Sequence, residues 1–493
     1  MGIFRYFFWH FKNHPNSIIP VQTEQRVPGF DIFALDLNAI FHPVCQRYFY
    51  QTPGKKTFQG CYHEIVKEID RLCAYIPTKE VVLSIDGVAG LSKVNQQRQR
   101  RYRSVKEKDP KEREIFDTNQ ISVGTEFMYG LRKYIEEVYR GKAVLLLDDL
   151  IGEGEHKIVR YLAGKEKKKM CIYSPDADLI MLGIALEKKN VFIFRPNIYS
   201  DVDCAYFLVS IDKFKKDVAK MVGEDSIVDF VFLLFFLGND FLPHSPSYEI
   251  KYGGIQMILS MYQTAIKESE GLVVRKDGKY MVRVGVLRRV MEELAAREIE
   301  MIRLKYKNFR GFPNRMLDKY IRTLEENFDE YREEYYSTYF RESREWVCRD
   351  YLDGLCFVGQ YYHFGMPDWQ YQYPHDHAPF FTDLAEYLSG VEEELWSVEF
   401  PANTPLSPLE QLMCVLPHES KFMLPRCVQS FYDEKSELED LYPREFQIDR
   451  DGVEQEYEAL VLLPRIEPER IRRAFDKVRH LLTPLEKERN AAK

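Results

Sequence analysis

Five short apolar segments punctuate the first half of this chain, and three of them carry an aspartate at or just past the carboxyl end. Phe33-Leu37, Val81-Ile85, Val144-Leu147, Cys171-Tyr173 and Val191-Phe194 are rich in branched and aromatic residues and are separated by helix-length stretches. That alternation predicts an α/β fold with a mostly parallel sheet. Asp36 lies in the first segment, Asp86 follows the second, and Asp176 follows the fourth. Open parallel sheets bind ligands beyond the carboxyl ends of their strands, so these acids are expected to converge.

Two further segments strengthen that expectation. Gly152-Glu153-Gly154-Glu155-His156-Lys157-Ile158 and Ser174-Pro175-Asp176-Ala177-Asp178-Leu179 each place two carboxylates two residues apart. Taken singly, Glu153, Glu155, Asp176 and Asp178 read equally well as acids in the first turn of a helix. Asp36 and Asp86 read as helix caps. All six together point to a metal site, because a hard cation such as Mg²⁺ is held by a few carboxylate oxygens plus water and phosphate. Asp240, in Gly238-Asn239-Asp240, is either turn chemistry or a seventh member of the set. Paired divalent ions of this kind cleave phosphodiesters by activating water and stabilising the leaving oxygen, which makes the first reading a nuclease.

The formal net charge of −8 conceals a local reversal. Between Lys93 and Arg113 there are nine Lys/Arg against three Asp/Glu. On a helix, Lys93, Gln97, Arg100 and Arg101 share one face. That face suits a phosphate dianion, or equally a solvated contact with nucleic-acid backbone. His42 is one helical turn beyond Asn38 and is placed either to stack on a base or to satisfy a core contact. The aromatic run Phe357, Tyr361, Tyr362, Phe364, Trp369, Tyr371, Tyr373 reads as a base-stacking platform or as core.

At 493 residues and 45% apolar composition, the chain is long enough for two or three globular domains. We divide it into an α/β core over 1–255 and a mainly helical region over 256–493. Its nine scattered cysteines contain no C-x-x-C pair, so no disulfide partner is expected and a reducing, cytoplasmic location fits. Phe230 to Leu237 is too short to span a bilayer and reads as a buried helix, and no membrane association is expected. Ile3, Phe4, Phe7, Phe8 and Phe11 are expected to form the apolar face of an N-terminal helix. Residues 104–116, with Pro110, read as an exposed connection.

Together these segments resemble the Xrn family of 5′→3′ exoribonucleases. The resemblance rests on Leu35-Asp36-Leu37-Asn38 with His42, Ile85-Asp86-Gly87, Lys93-Val94-Asn95-Gln96-Gln97-Arg98, the GEGEHKI segment, Asp176-Ala177-Asp178-Leu179, and Gly238-Asn239-Asp240-Phe241-Leu242-Pro243. It continues more loosely through Tyr351-Leu352-Asp353-Gly354-Leu355 and Tyr442-Pro443-Arg444-Glu445-Phe446. The resemblance implies a PIN-like 5′-nuclease core in which Asp36, Asp86, Glu153, Glu155, Asp176, Asp178 and Asp240 carry two Mg²⁺ ions, with Mn²⁺ as a substitute. It further implies that Lys93, Gln97, Arg100 and Arg101 hold the 5′-monophosphate of single-stranded RNA, and that His42 and Phe357 stack on the terminal base. Phe357 stands where the family usually has Trp, and Ser174-Pro175 replaces a more usual Gly-Leu. The chain is expected to be a minimal catalytic core, of the kind a large DNA virus or a reduced genome would encode. Two rival readings are a structure-specific nuclease on DNA flaps and an inactive RNA-binding scaffold.

Overall fold

The computed structural model describes residues 5–23, 25–107, 114–199, 202–266 and 271–493. Its main sheet has seven strands: Ile18–Val21 (β1), Phe30–Asp36 (β2), Thr78–Ser84 (β3), Val144–Leu146 (β4), Met170–Tyr173 (β5), Val191–Pro196 (β6) and Tyr206–Ser210 (β7). The order is β1-β7-β6-β5-β2-β3-β4. β6, β5, β2, β3 and β4 run parallel, as the apolar segments predict, while β7 and β1 add an antiparallel edge. The sequence reading missed both β7 and β1; the Ile-Ile-Pro-Val run of β1 carries a proline that only an edge strand tolerates.

Strand order reverses between β2 and β5, and this places the acids. The chain passes from β2 outward to β3 and β4, then returns to build β5 and β6 on the other side. The carboxyl ends of β2, β3 and β5 therefore open onto one crevice. Alternation along β2 separates two cores. Ile32 and Ala34 face one that includes Ile158, Leu179 and Phe232, and Phe33 and Leu35 face the other, with Phe41, Ile65 and Phe127.

The second region is mainly helical, its longest helix being Arg344–Phe364, with small sheets at Val273–Lys276, Lys279–Arg283 and Leu395–Trp396 and at Gln447–Asp449 and Leu460–Leu462. The boundary expected at 255 falls inside the helix Gly254–Ile266. Ile255, Ile258 and Leu259 of that helix join a core that also holds residues of the main sheet and of Arg344–Phe364. Helix Ile227–Phe235 is buried as expected, and its Asp229 is satisfied by the amides of Leu272 (2.6 Å) and Val273 (2.9 Å) and by the Tyr262 hydroxyl (2.6 Å).

The N-terminal helix, Tyr6–Asn13, differs from the expected pattern: Tyr6, Phe7, Trp9 and His10 are buried, whereas Phe8 is 55% exposed. Ile3 and Phe4 lie outside the described residues. The basic helix runs from Leu91 to Glu107, so the expected connection begins later than residue 104, and residues 108–113 of it lie outside the described residues. Phe116, at its far end, is buried and stacked on Phe49 at 4.1 Å.

Candidate active site

Six of the seven acids come from or next to a strand end or a helix start, and Asp240 comes from the bend after the helix Ile227–Phe235. Asp36 ends β2, and its carboxylate accepts hydrogen bonds from the Asn38 amide and the Ser174 hydroxyl, both at 3.2 Å. The Asn38 side chain in turn accepts from the Asp86 amide at 2.9 Å, tying the loops after β2 and β3 together. Asp86 accepts from the Gly154 amide at 2.6 Å. Glycine is favoured at 154, because a Cβ there would lie 3.2 Å from one Asp86 oxygen, closer than an ordinary contact, and the carboxylate would have to shift. Gly87 is required for a different reason: its Cβ would fall 1.9 Å from the Leu150 carbonyl oxygen. The buried Lys157 ammonium donates to the carbonyls of Ile85 (2.5 Å), Leu147 (2.8 Å) and Leu150 (3.1 Å), fixing the loops that follow β3 and β4.

Glu153 caps the helix Gly154–Ala163, Glu155 lies in its first turn, and Asp178 begins the helix Asp178–Ala185. Burial and mutual repulsion shape their ionisation. Asp36 is held well above the usual carboxylate range by burial, then by Asp86 and Asp176. Burial and Glu153 raise Asp86. Burial also raises Glu155, opposed by Lys93 and reinforced by Asp178, Glu153 and Asp176. Asp178 is pushed up to about 7 by burial, with Asp240 and Asp176 adding to the effect and Lys93 opposing it. Glu153 and Asp240 go the other way: burial raises both, but the adjacent Lys93 ammonium outweighs it and holds them low.

Lys93 is the cation of this cluster. Its ammonium lies 2.6 Å from Glu153 and 2.5 Å from Asp240. The expected phosphate role for Lys93 is thereby modified, since its charge is committed to two carboxylates. Among the described residues, no three acids, histidines or cysteines stand close enough to hold one ion as they are. The donor set nevertheless fits a hard divalent cation. It is made wholly of carboxylate oxygens, several of them buried, crowded and held toward the protonated form, and one ammonium cannot neutralise them all.

A cavity of about 420 Å³ opens beside these acids. Asp36, Asp86, Glu153, Glu155 and Asp176 line it together with Lys93, Gln97, Arg100 and Arg101. Arg101 donates to the Ser122 hydroxyl at 2.6 and 3.1 Å and to Gln97 at 3.4 Å; burial, then Arg100, lowers its guanidinium to about 10. The opposite face of the basic helix is anchored: Arg98 donates to the Cys414 carbonyl at 2.7 Å, and Leu91 and Val94 pack against the helix Pro408–Val415. His42 is exposed on the cavity wall. Asp178 and Asp240 do not line this cavity. Asp240 borders a neighbouring one, of about 760 Å³, on the far side of the basic helix.

Phe357 is placed elsewhere than the stacking role requires. It is 1% exposed, stacked on Tyr371 at 4.2 Å and packed edge-on against Phe400 at 5.6 Å. Neither Trp369 nor Tyr371 lines the cavity; Pro175 does. The sequence reading also passed over Asn38, Ser174 and Ser122. An Asp-x-Asn or Ser-x-Asp spacing at a strand end is a usable signal for the first two, because such side chains bond backbone two residues away. Ser122 carries no local signal.

Known proteins resemble this chain along most of its length. Residues 1–197 match the model described as XRN 5′-3′ exonuclease N-terminus, and residues 221–328 and 321–493 match that described as Xrn1 helical domain. Human 5′-3′ exoribonuclease 1 is 26% identical over 99% of this chain, and 5′-3′ exoribonuclease 2 of Arabidopsis thaliana is 26% identical over 100% of this chain. The chain spans 35% of the human relative and 69% of the plant one. A solved flap endonuclease of bacteriophage T5, complexed with DNA and metal ions, overlays 56% of this chain and 86% of its own, with a TM-score of 0.31 and 11% identity. With both family models matched across nearly its entire length, the chain belongs to the Xrn family of 5′-3′ exonucleases.

Proposed function

We propose that this protein is a divalent-metal-dependent 5′→3′ exoribonuclease that removes nucleoside 5′-monophosphates one at a time from 5′-monophosphorylated single-stranded RNA, in RNA decay. The observation that carries this reading is the shared cavity, whose lining combines the carboxylates of Asp36, Asp86, Glu153, Glu155 and Asp176 with Gln97, Arg100 and Arg101. Its volume of about 420 Å³ is of the size that takes one terminal nucleotide.

Gln97, Arg100 and Arg101 hold the 5′-phosphate, the guanidiniums giving bidentate contacts. His42 stacks on the first base, which needs no sequence preference because every base has a π-face. Binding the end fixes the scissile bond one nucleotide in, opposite the carboxylates. Asp36, Asp86, Glu153, Glu155, Asp176, Asp178 and Asp240 would hold Mg²⁺, which when bound supplies an activated water and charge for the leaving oxygen. Lys93 orients Glu153 and Asp240 through its two ion pairs. All nine cysteines are free thiols, which suits a cytoplasmic site of action. No helix among the described residues is long and apolar enough to cross a membrane.

The test uses purified protein, Mg²⁺ and RNAs differing only in the 5′ end: hydroxyl, monophosphate, triphosphate or cap. Rapid stepwise decay of the monophosphate substrate alone is expected, and Asp176→Ala should abolish it while leaving RNA binding intact. Equal decay of hydroxyl and monophosphate ends would refute end recognition, and cleavage of DNA flaps without decay of linear RNA would refute the substrate class.

A further inference from the structure

Glu153 receives a second hydrogen bond, and its donor comes from the other region of the molecule. The Tyr361 hydroxyl donates to one Glu153 oxygen at 2.7 Å, while Lys93 holds the other at 2.6 Å. Tyr361 lies on the helix Arg344–Phe364 and is 3% exposed. Its ring lies flat on the His156 imidazole, 3.8 Å between centroids at 17°, and Phe241 meets it edge-on at 5.3 Å. His156 follows Glu153 on the same helix, and Phe241 is the neighbour of Asp240. One side chain of the helical region therefore touches the surroundings of two carboxylates of the cluster.

We propose that Tyr361 is a positioning residue that sets the orientation of the Glu153 carboxylate for the divalent ion, so that the helical region completes the metal site as well as enclosing it. The proposal rests on the reading of Glu153 as a metal ligand. Carboxylate ligands are aimed by the hydrogen bonds they accept, and removing such a partner weakens metal affinity or activity by about 10–100-fold. With both oxygens tethered, by Lys93 and Tyr361, the Glu153 side chain is held in one orientation beside the cavity that it lines.

Tyr361→Phe removes the hydroxyl and keeps the ring on His156. Mn²⁺ binding to the full chain, followed by electron paramagnetic resonance without RNA, should weaken by about tenfold or more. Turnover at fixed Mg²⁺ should fall similarly and recover as Mg²⁺ is raised, with KM for 5′-monophosphate RNA unchanged. Glu153→Asp, which withdraws the carboxylate from Tyr361, should weaken Mn²⁺ binding too, and adding Tyr361→Phe to it should change affinity less than twofold, as expected of two residues acting through one contact. Wild-type Mn²⁺ affinity in Tyr361→Phe, alongside a loss in Glu153→Gln, would overturn the role of Tyr361. Wild-type affinity in Glu153→Gln would overturn the reading of Glu153 itself, and the proposal with it. Additive losses in the double variant would also refute it.

Discussion

Replacing Lys93 with methionine separates its role as internal counter-ion from a role as phosphate ligand. The ammonium is only 12% exposed and sits 2.5–2.6 Å from two carboxylates that are themselves 4% exposed. At an effective dielectric of about 20, each contact is attractive by roughly 6 kcal/mol before the desolvation of the three ions is subtracted. What survives that subtraction is smaller: breaking a buried pair by deleting one partner costs about 3–5 kcal/mol, because the other charge is left unpaired. A chain of 493 residues unfolding as one unit has an entropy near 1 kcal/mol/K. Lys93→Met should therefore lower Tm by about 3–5 °C in EDTA at pH 7.5. Saturating Mg²⁺ should restore much of that loss, since the ion supplies the missing positive charge to the same carboxylates. Differential scanning fluorimetry with and without EDTA measures both effects. A Tm within 1 °C of wild type in EDTA, together with a defect confined to 5′-phosphorylated substrates, would refute the counter-ion argument and return Lys93 to the phosphate pocket.

Three other outcomes follow from the geometry. In the absence of metal, Asp36, Glu155 and Asp178 bind protons in the folded chain that the unfolded chain has released, so their contribution is full below about pH 4 and is lost as pH rises, for Asp178 through about 7. The Mg²⁺-induced rise in Tm should accordingly grow from pH 5 to pH 8, a difference from which the titration of distant histidines cancels; a constant rise would contradict the assigned shifts. Arg100→Ala with Arg101→Ala should slow decay of 5′-phosphate RNA far more than it weakens binding of 5′-hydroxyl RNA, and equal losses measured by gel shift at two salt concentrations would make this helix a non-specific basic face. Phe357→Ala should destabilise the protein by about 3–5 kcal/mol through loss of core packing, and a variant of unchanged Tm with selectively reduced processivity would show that the ring meets the substrate after all.

The strand framework was legible because parallel strands buried on both faces read as largely apolar runs, and β2, β5 and β6 do, while β3 opens on Thr78-Lys79-Glu80 and the edge strand β4 is half-buried. The strand-end acids were legible for the same reason: a carboxylate at the edge of such a run needs a partner. That rule over-predicts when used alone. Asp148 follows β4 and is buried, yet it pairs with Arg132 at 3.5 Å and does not line the cavity. What separates it from Asp36 and Asp86 is the position of β4 at the outer edge of the sheet, away from the reversal in strand order. That is a property of topology, which no local spacing encodes.

The roles of Lys93, Phe357 and Tyr361 show where sequence periodicity stops. A 3.6-residue repeat puts Lys93, Gln97, Arg100 and Arg101 on one helix face, and all four line the cavity. It says nothing about what each side chain reaches, because a lysine stem long enough to meet a phosphate is also long enough to meet a carboxylate. Glu153 and Asp240 arrive from separate elements and claim its charge. The same logic applies along Arg344–Phe364. Phe357 and Tyr361 are one turn apart and share a helix face, and their rings are 6.4 Å apart. Phe357, lacking any polar group, gains most from full burial beneath Tyr371. Tyr361 carries a hydroxyl that burial would leave unsatisfied, and Glu153 is the acceptor within its reach. One hydroxyl group thus decides which of two neighbouring aromatics is core and which enters the acidic cluster, and it does so through the cost of an unmade hydrogen bond.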